Sequence, residues 1–428
     1  MNKFYLLFIC LLSSFNALPH AAPNSVLEFV IADNQVICNL KLPLKELQFT
    51  VNFDVTNNTE SLFENHYLEI QQYVQNHFYI KGQDAAKWQL KIVEMKLETS
   101  SESAVNDHQD LIIKIIFSPN LKGNTRNFIV FYDGIMHQLV THKAIVYIKQ
   151  DWQNGIVGHQ NSEIGTISAD ALNGIVKPFS INLETGNNWK GFKAMFLLGM
   201  DHIAEGVDHL MFLLLLLLPS SLLVTARKWD KPQSWKSSFV KILKIVTGFT
   251  IGHSVTLFLG TLQWIETPIL FVEILIALSI FITACHAIIP IFYKREILIA
   301  VGFGLIHGLA FSQTLIELEL TSTKMFLSLL SFNLGIEAMQ LFVILMIMPI
   351  LVYLSQDKTC HIFRIVFAIF GMIASVGWIT ELLTDTPNII STGMAKIPKI
   401  GIWLYLLLLS VCLVQIIVIK KRKTKNSE

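Results

Sequence analysis

The hydrophobic pattern changes character near residue 190. Over residues 23–190 apolar positions form short, partly alternating runs. Over residues 194–419 they form long stretches of Leu, Ile, Phe and Val. Alternation over 4–8 residues predicts strands. The runs are LEFVIA (27–32), QVICNLKL (35–42), LQFTVNF (47–53), WQLKIVEMKLE (88–98), DLIIKIIF (110–117) and KAIVYIKQ (143–150). Between them, Ser61 to Phe78 carries Leu62, Leu68, Ile70, Tyr73 and Val74 at roughly helical spacing. Residues 23–153 are therefore expected to form a mostly-β domain, a sandwich with one added helix. Residues 154–193, rich in Gly, Asn and Ser, read as a linker.

The second pattern predicts an all-α polytopic membrane domain, residues 194–419, of about seven transmembrane helices. Candidate spans are 194–218, 239–261, 268–290, 297–316, 325–353, 361–383 and 400–419. Each is long enough to cross ~30 Å of hydrocarbon. Residues 1–22 read as a signal peptide: Lys3, an apolar core from Phe4 to Phe15, then Ala17, Ala21 and Ala22. The mostly-β domain is then exported.

Charge orients the spans. With that domain outside, the inner loops hold Arg227, Lys228, Lys231 and Lys236, then Lys294 and Arg295, then Lys358 and Arg364. The basic tail 420–428 is also inside, whereas the outer loops are poor in Lys and Arg. A bacterial inner membrane, N-terminal domain outside and C-terminus cytoplasmic, is the expected location. The net charge of +1 shows no basic face for nucleic acid. Cys38 stands alone in the exported domain, and the chain has no CxxC pair.

Ionisable groups inside hydrocarbon are expensive and need a reason. The first span holds Asp201, His202, Glu205, Asp208 and His209. On one unbroken helix these fall within about 120° of arc. Further spans add His253, Glu273, His307, and Asn333, Glu337 and Gln340 at i, i+4, i+7. Counted at ~1.5 Å per residue, these groups lie roughly 8–21 Å from the outer ends of their spans. One shared site in the outer half of the membrane is expected. Imidazoles with carboxylates suit a divalent transition ion such as nickel, zinc or cobalt. Asp201, Glu205, Glu273, Asn333, Glu337 and Gln340 are candidates for supporting the ligands or moving protons. Hydrogen bonding between helices is the structural alternative for His253, His307, Glu273 and Glu337 taken singly.

Five segments resemble the HupE/UreJ family, in particular its branch with an exported N-terminal domain. They are GMDHIAEGVDHLMFLLLLLL (199–218), FTIGHSVTLFLG (249–260), VEILIALSI (272–280), FGLIHGLAF (303–311) and FNLGIEAMQL (332–341). The resemblance implies a hydrogenase or urease accessory membrane protein that handles nickel. It implies that His202, Asp208 and His209 form a His-x5-Asp-His nickel motif; the polar residues of the other spans add His253 and His307 as candidate ligands.

Three functions are weighed. The first is a permease or accessory protein for a divalent metal, nickel favoured. The second is an intramembrane zinc hydrolase. The third is a non-transporting assembly partner whose exported domain binds another protein. The first, which is not an enzyme, is preferred.

Overall fold

A computed structural model describes residues 23–55, 62–100, 108–119, 124–158, 162–170, 173–183, 186–265, 267–316, 322–355 and 359–394. The expected signal peptide, seventh span and basic tail lie outside the described residues. The chain divides into two compact units, Met1–Gly186 and Asn187–Glu428.

The first unit is mostly β. Its strands are β1 (Ser25–Ile31), β2 (Val36–Pro43), β3 (Phe78–Gly82), β4 (Gln89–Ser100), β5 (His108–Ser118), β6 (Asn127–Tyr132), β7 (Lys143–Asp151), β8 (Ser162–Ser168) and β9 (Phe179–Asn182). Six make one sheet in the order β4-β5-β2-β1-β7-β8, and three make another, β3-β6-β9. Residues of both sheets share one apolar core. β1 lies inside the larger sheet, antiparallel to β2 and parallel to β7. Burial on both faces explains why its sequence is a nearly continuous apolar run. The expected helix is present as α2 (Leu62–His77), after a single turn α1 (Leu44–Leu47).

Two expectations are corrected. LQFTVNF is not a strand. α1 runs into turns, and the Gln48 carboxamide ties the loop that follows. Its Nε2 donates to Phe53 O at 3.0 Å, and its Oε1 accepts from Val55 N at 2.8 Å. The expected linker carries β8 and β9, antiparallel to β7 and β6. Both strands are short, and β8 is largely solvent-facing, so apolar alternation does not reveal them.

At the start of β1 lies a buried polar chain. Tyr132 Oη donates to Ser25 Oγ at 3.0 Å, and Ser25 Oγ lies 2.8 Å from His142 Nε2. The Ser25 backbone N–H also donates to His142 Nε2, at 3.2 Å. That nitrogen is therefore an acceptor, and Nδ1 carries the proton, directed at the Glu46 carboxylate. Burial pushes His142 down from 6.5 to about 4 and Glu46 up from 4.5 to about 7. The signs oppose. The His142 contribution to stability is present above pH 6.5 and lost as pH falls through about 4. The Glu46 contribution is present below pH 4.5 and lost as pH rises through about 7. Across this interval the two slopes offset one another in the native protein. Glu46→Gln is expected to expose the His142 slope alone: the denaturation midpoint of this unit falls on acidification from pH 6.5 to 4. An unchanged flat profile in the variant would refute the assignment.

The second unit is helical. Its helices are α3 (Asn188–Glu205), α4 (Val207–Ser220), α5 (Trp235–Thr261), α6 (Ile269–Ile288), α7 (Glu296–Ile316), α8 (Ser322–Leu354), α9 (Thr359–Thr384) and the short α10 (Ile389–Met394). A hairpin, β10 (Leu222–Thr225) with β11 (Lys228–Pro232), joins α4 to α5. Four helices are long and apolar enough to cross a membrane, or five if the bent pair α3 and α4 counts as one span. The apolar described part of α7 is shorter. α4 is apolar nearly all round and accordingly buried. α5, α8 and α9 expose Ile251, Val255, Phe342, Ile362 and Val366 on their outer faces.

Glycines set the closest helix pairs. A methyl group at Gly252 would collide with the Val301 carbonyl, at Gly304 with that of Phe249, and at Gly308 with that of His253. α5 and α7 thus run parallel, backbone against backbone. α3 meets α8 in the same way, through Gly199 against Phe332 and Gly335 against Phe196. At the far end of α6, Arg364 Nη1 donates to the Ala287 and Ile288 carbonyls at 2.6 and 3.3 Å. A buried cation thereby caps the helix C-terminus. α6 and α9 are antiparallel, since Ser375 also donates to Ala277 O.

Candidate metal centre

The first polar segment is not one helix face. α3 ends at Glu205, Gly206 is extended (φ −71°, ψ 97°), and α4 begins at Val207 with a 70° bend between the two. Any residue can adopt this backbone, but a Cβ at Gly206 would sit 2.6 Å from the His202 carbonyl. The break corrects the single-stripe expectation and has a chemical result. In an unbroken helix, residues seven apart are separated by about 10.5 Å along the axis. Here the His202 and His209 ring centroids are 4.6 Å apart.

Two further helices complete the cluster. α5 supplies His253, with its ring centroid 6.2 Å from His202 and 6.3 Å from His209. α7 supplies His307, 5.0 Å from His209. The Gly308–His253 contact holds these two helices together at this level. Two groups of ligand atoms converge, each within 4.8 Å: His202, His209 and His253, and Asp208, His209 and His307. His209 belongs to both. His253 and His307 are fully buried and His209 nearly so. The surroundings are aromatic. Phe311 and Phe332 lie against His202, and Phe212 and Phe249 against His307.

Hydrogen bonds set the tautomers. His209 Nδ1 meets Asp208 Oδ1 at 3.0 Å, so the proton sits on Nδ1 and Nε2 presents a lone pair. Ser279 Oγ spends its proton on the Ile276 carbonyl at 2.7 Å and lies 3.0 Å from His307 Nε2. It must therefore accept from that nitrogen, which leaves His307 Nδ1 bare. The bare atoms, His209 Nε2 and His307 Nδ1, are buried without hydrogen-bond partners, as are His202 Nε2 and both ring nitrogens of His253. Left empty, such atoms cost on the order of 1–3 kcal/mol each. Neutral imidazoles with bare nitrogens and one carboxylate are the donor set of a divalent transition ion.

The remaining candidates separate. Glu337 accepts from Thr247 Oγ1 at 3.3 Å and Gln340 from Thr250 Oγ1 at 3.0 Å, so both tie α8 to α5. Asn333 lies beside His253 with a buried, unpartnered Oδ1. Asp201 and Glu205 are exposed. Glu273 is also exposed, and lines a hollow of about 380 Å³ with Asp208, Trp378 and Glu381. This hollow reaches the cluster at Asp208, and three carboxylates stand among its otherwise apolar walls. Ser279 reads in sequence only as a weak polar step. Its helical spacing to Thr283 and His286 is the signal that α6 presents a polar line inward.

Ser279→Ala should lower divalent-metal affinity by roughly 10–100-fold, the usual effect of removing a group that orients a ligand histidine. Equilibrium dialysis of the variant against the parent protein measures it. An unchanged affinity would remove His307 from the ligand set.

No curated protein and no solved structure matches the chain. Residues 180–382 match the family model described as HupE / UreJ protein. That stretch, about half of the chain, contains all five converging side chains and is similar to the HupE / UreJ protein family.

Proposed function

We propose that this protein is a membrane permease or metal-handling accessory protein for a divalent transition metal, nickel before zinc. The observation that carries the reading is the set of buried, unpartnered imidazole nitrogens gathered from α3, α4, α5 and α7. The similarity to the HupE / UreJ protein family supports nickel as the ion. His202, Asp208, His209, His253 and His307 hold it. Asp208 offsets part of its charge in a low-dielectric surrounding. Glu273 and Glu381 draw the cation toward Asp208 along the hollow. The chain crosses a bacterial inner membrane about seven times. An N-terminal signal peptide exports the mostly-β domain, which collects metal or binds a protein partner, and the basic tail is cytoplasmic. The parallel pair α5 and α7 and the antiparallel pair α6 and α9 fit this alternation.

The test is elemental analysis of the protein purified in mild detergent, followed by nickel uptake into vesicles. Exchangeable nickel with uptake supports the reading, and absence of both metal and uptake rejects it. A second reading, an intramembrane zinc hydrolase, is favoured by the hollow that reaches Asp208, through which water and a substrate could approach three ligands. Tight zinc at one equivalent, with no uptake, would select it.

A further inference from the structure

The structure carries a second polar concavity, far along α5 from the histidines. It is a cavity of about 580 Å³ between the N-terminal ends of α5 and α7. Lys236, Lys241, Lys244 and Lys294 line it, with Glu296 as its carboxylate. Lys241 is already neutralised by Glu296 at 2.8 Å. Among the described residues no carboxylate pairs with Lys236, Lys244 or Lys294. Lys294 is held in left-handed backbone (φ 68°), a conformation that non-glycine residues seldom adopt. Two parallel helices also direct their N-termini, the positive ends of their dipoles, toward this end of the unit.

The walls are not all polar. Val240 and Ile297 line the cavity and are 48% and 45% exposed, and Leu298 beside it is 70% exposed. Apolar surface continues along α5 to Ile251 and Val255. Trp235, at the start of α5, is also exposed, and a Trp in this position marks a headgroup-level boundary. A cationic cup that opens onto an apolar helix face has the polarity gradient of a phospholipid. A free inorganic anion would have no use for the apolar wall.

We propose that this cavity binds the phosphate headgroup of an anionic phospholipid, with Lys236, Lys244 and Lys294 on the phosphate and an acyl chain along Val240 and Ile297. Each lysine near a headgroup should contribute roughly fivefold to affinity. The full chain in mixed micelles would be titrated with phosphatidylglycerol, phosphatidylcholine and inorganic phosphate, with bound lipid counted by native mass spectrometry. The expected result is retention of phosphatidylglycerol over phosphatidylcholine. The triple variant Lys236→Gln, Lys244→Gln, Lys294→Gln should reduce that preference by on the order of a hundredfold. Its phosphatidylcholine binding and Tm should stay unchanged. If the triple variant does not fold, Lys244→Gln alone should lose roughly fivefold. Equal retention of the two lipids, or a preference untouched by the substitutions, would overturn the proposal. Saturation by inorganic phosphate at the same concentration as phosphatidylglycerol would also overturn it, in favour of a free-anion site.

Discussion

Alanine at position 209 is expected to release bound divalent metal more completely than alanine at any other histidine of the cluster. His209 is the side chain shared by both convergent groups. His202→Ala or His253→Ala leaves Asp208, His209 and His307 in place, and His307→Ala leaves His202, His209 and His253. His209→Ala leaves no complete group of three. It also strips Asp208 of the partner at 3.0 Å that holds its carboxylate toward the cluster. Changing an orienting residue typically lowers metal affinity 10–100-fold, so losing the shared ligand should cost at least about 100-fold. Isothermal titration with nickel and with zinc on the four alanine variants measures the order. Equal losses in all four would mean a single site with no privileged ligand.

The second large effect concerns a residue that touches no metal. Gly304→Ala places a methyl group against the Phe249 carbonyl, at the level where α5 and α7 pack backbone to backbone. A side chain can rotate away from an intruding atom, but a helix carbonyl cannot. The helices must separate, at a cost of about 1–3 kcal/mol. Ligand distances tolerate only about 0.2 Å, and His253 and His307 sit on these two helices. The expected result is a lower Tm and loss of metal with every ligand intact. Gly302→Ala is the control on the same helix, because a Cβ there meets nothing within 4 Å. It should leave metal binding unchanged and stabilise α7 by up to about 1 kcal/mol. Equal behaviour of the two variants would show that the close approach is not needed.

The converging cluster was legible in the sequence because ionisable side chains stand out in long apolar runs. His202, Asp208, His209, His253 and His307 all stand out on that ground, and the structure brings them together. The geometry joining them was not legible. A glycine inside an apolar run looks the same whether it packs a helix or breaks it, so Gly206 gave no warning of the 70° bend. Glu337 and Gln340 share a helix face, as their spacing predicts, but bond to Thr247 and Thr250 rather than to the cluster. In the mostly-β unit, alternation located β1, β2, β4, β5 and β7 and missed β3, β6, β8 and β9. It also misread LQFTVNF, where a loop buries some of its residues without pairing. His142 stands in no sequence motif. Its partner Ser25 is 117 positions away, and no local pattern carries that distance.

The position of β1 has a consequence for how the chain is made. β1, the first strand among the described residues to leave a ribosome, has β7 as one of its two neighbours, pairing Ser25 with Ala144 and Ile31 with Asp151. Until residue 151 has been delivered, one edge of β1 remains open, and Ser25 lacks the histidine that anchors it. Pairings this far apart close slowly, and open strand edges invite association with other chains. The unit should therefore stay loose until β7 has been made. It should become protease-resistant in one late step, once β7 has paired with β1.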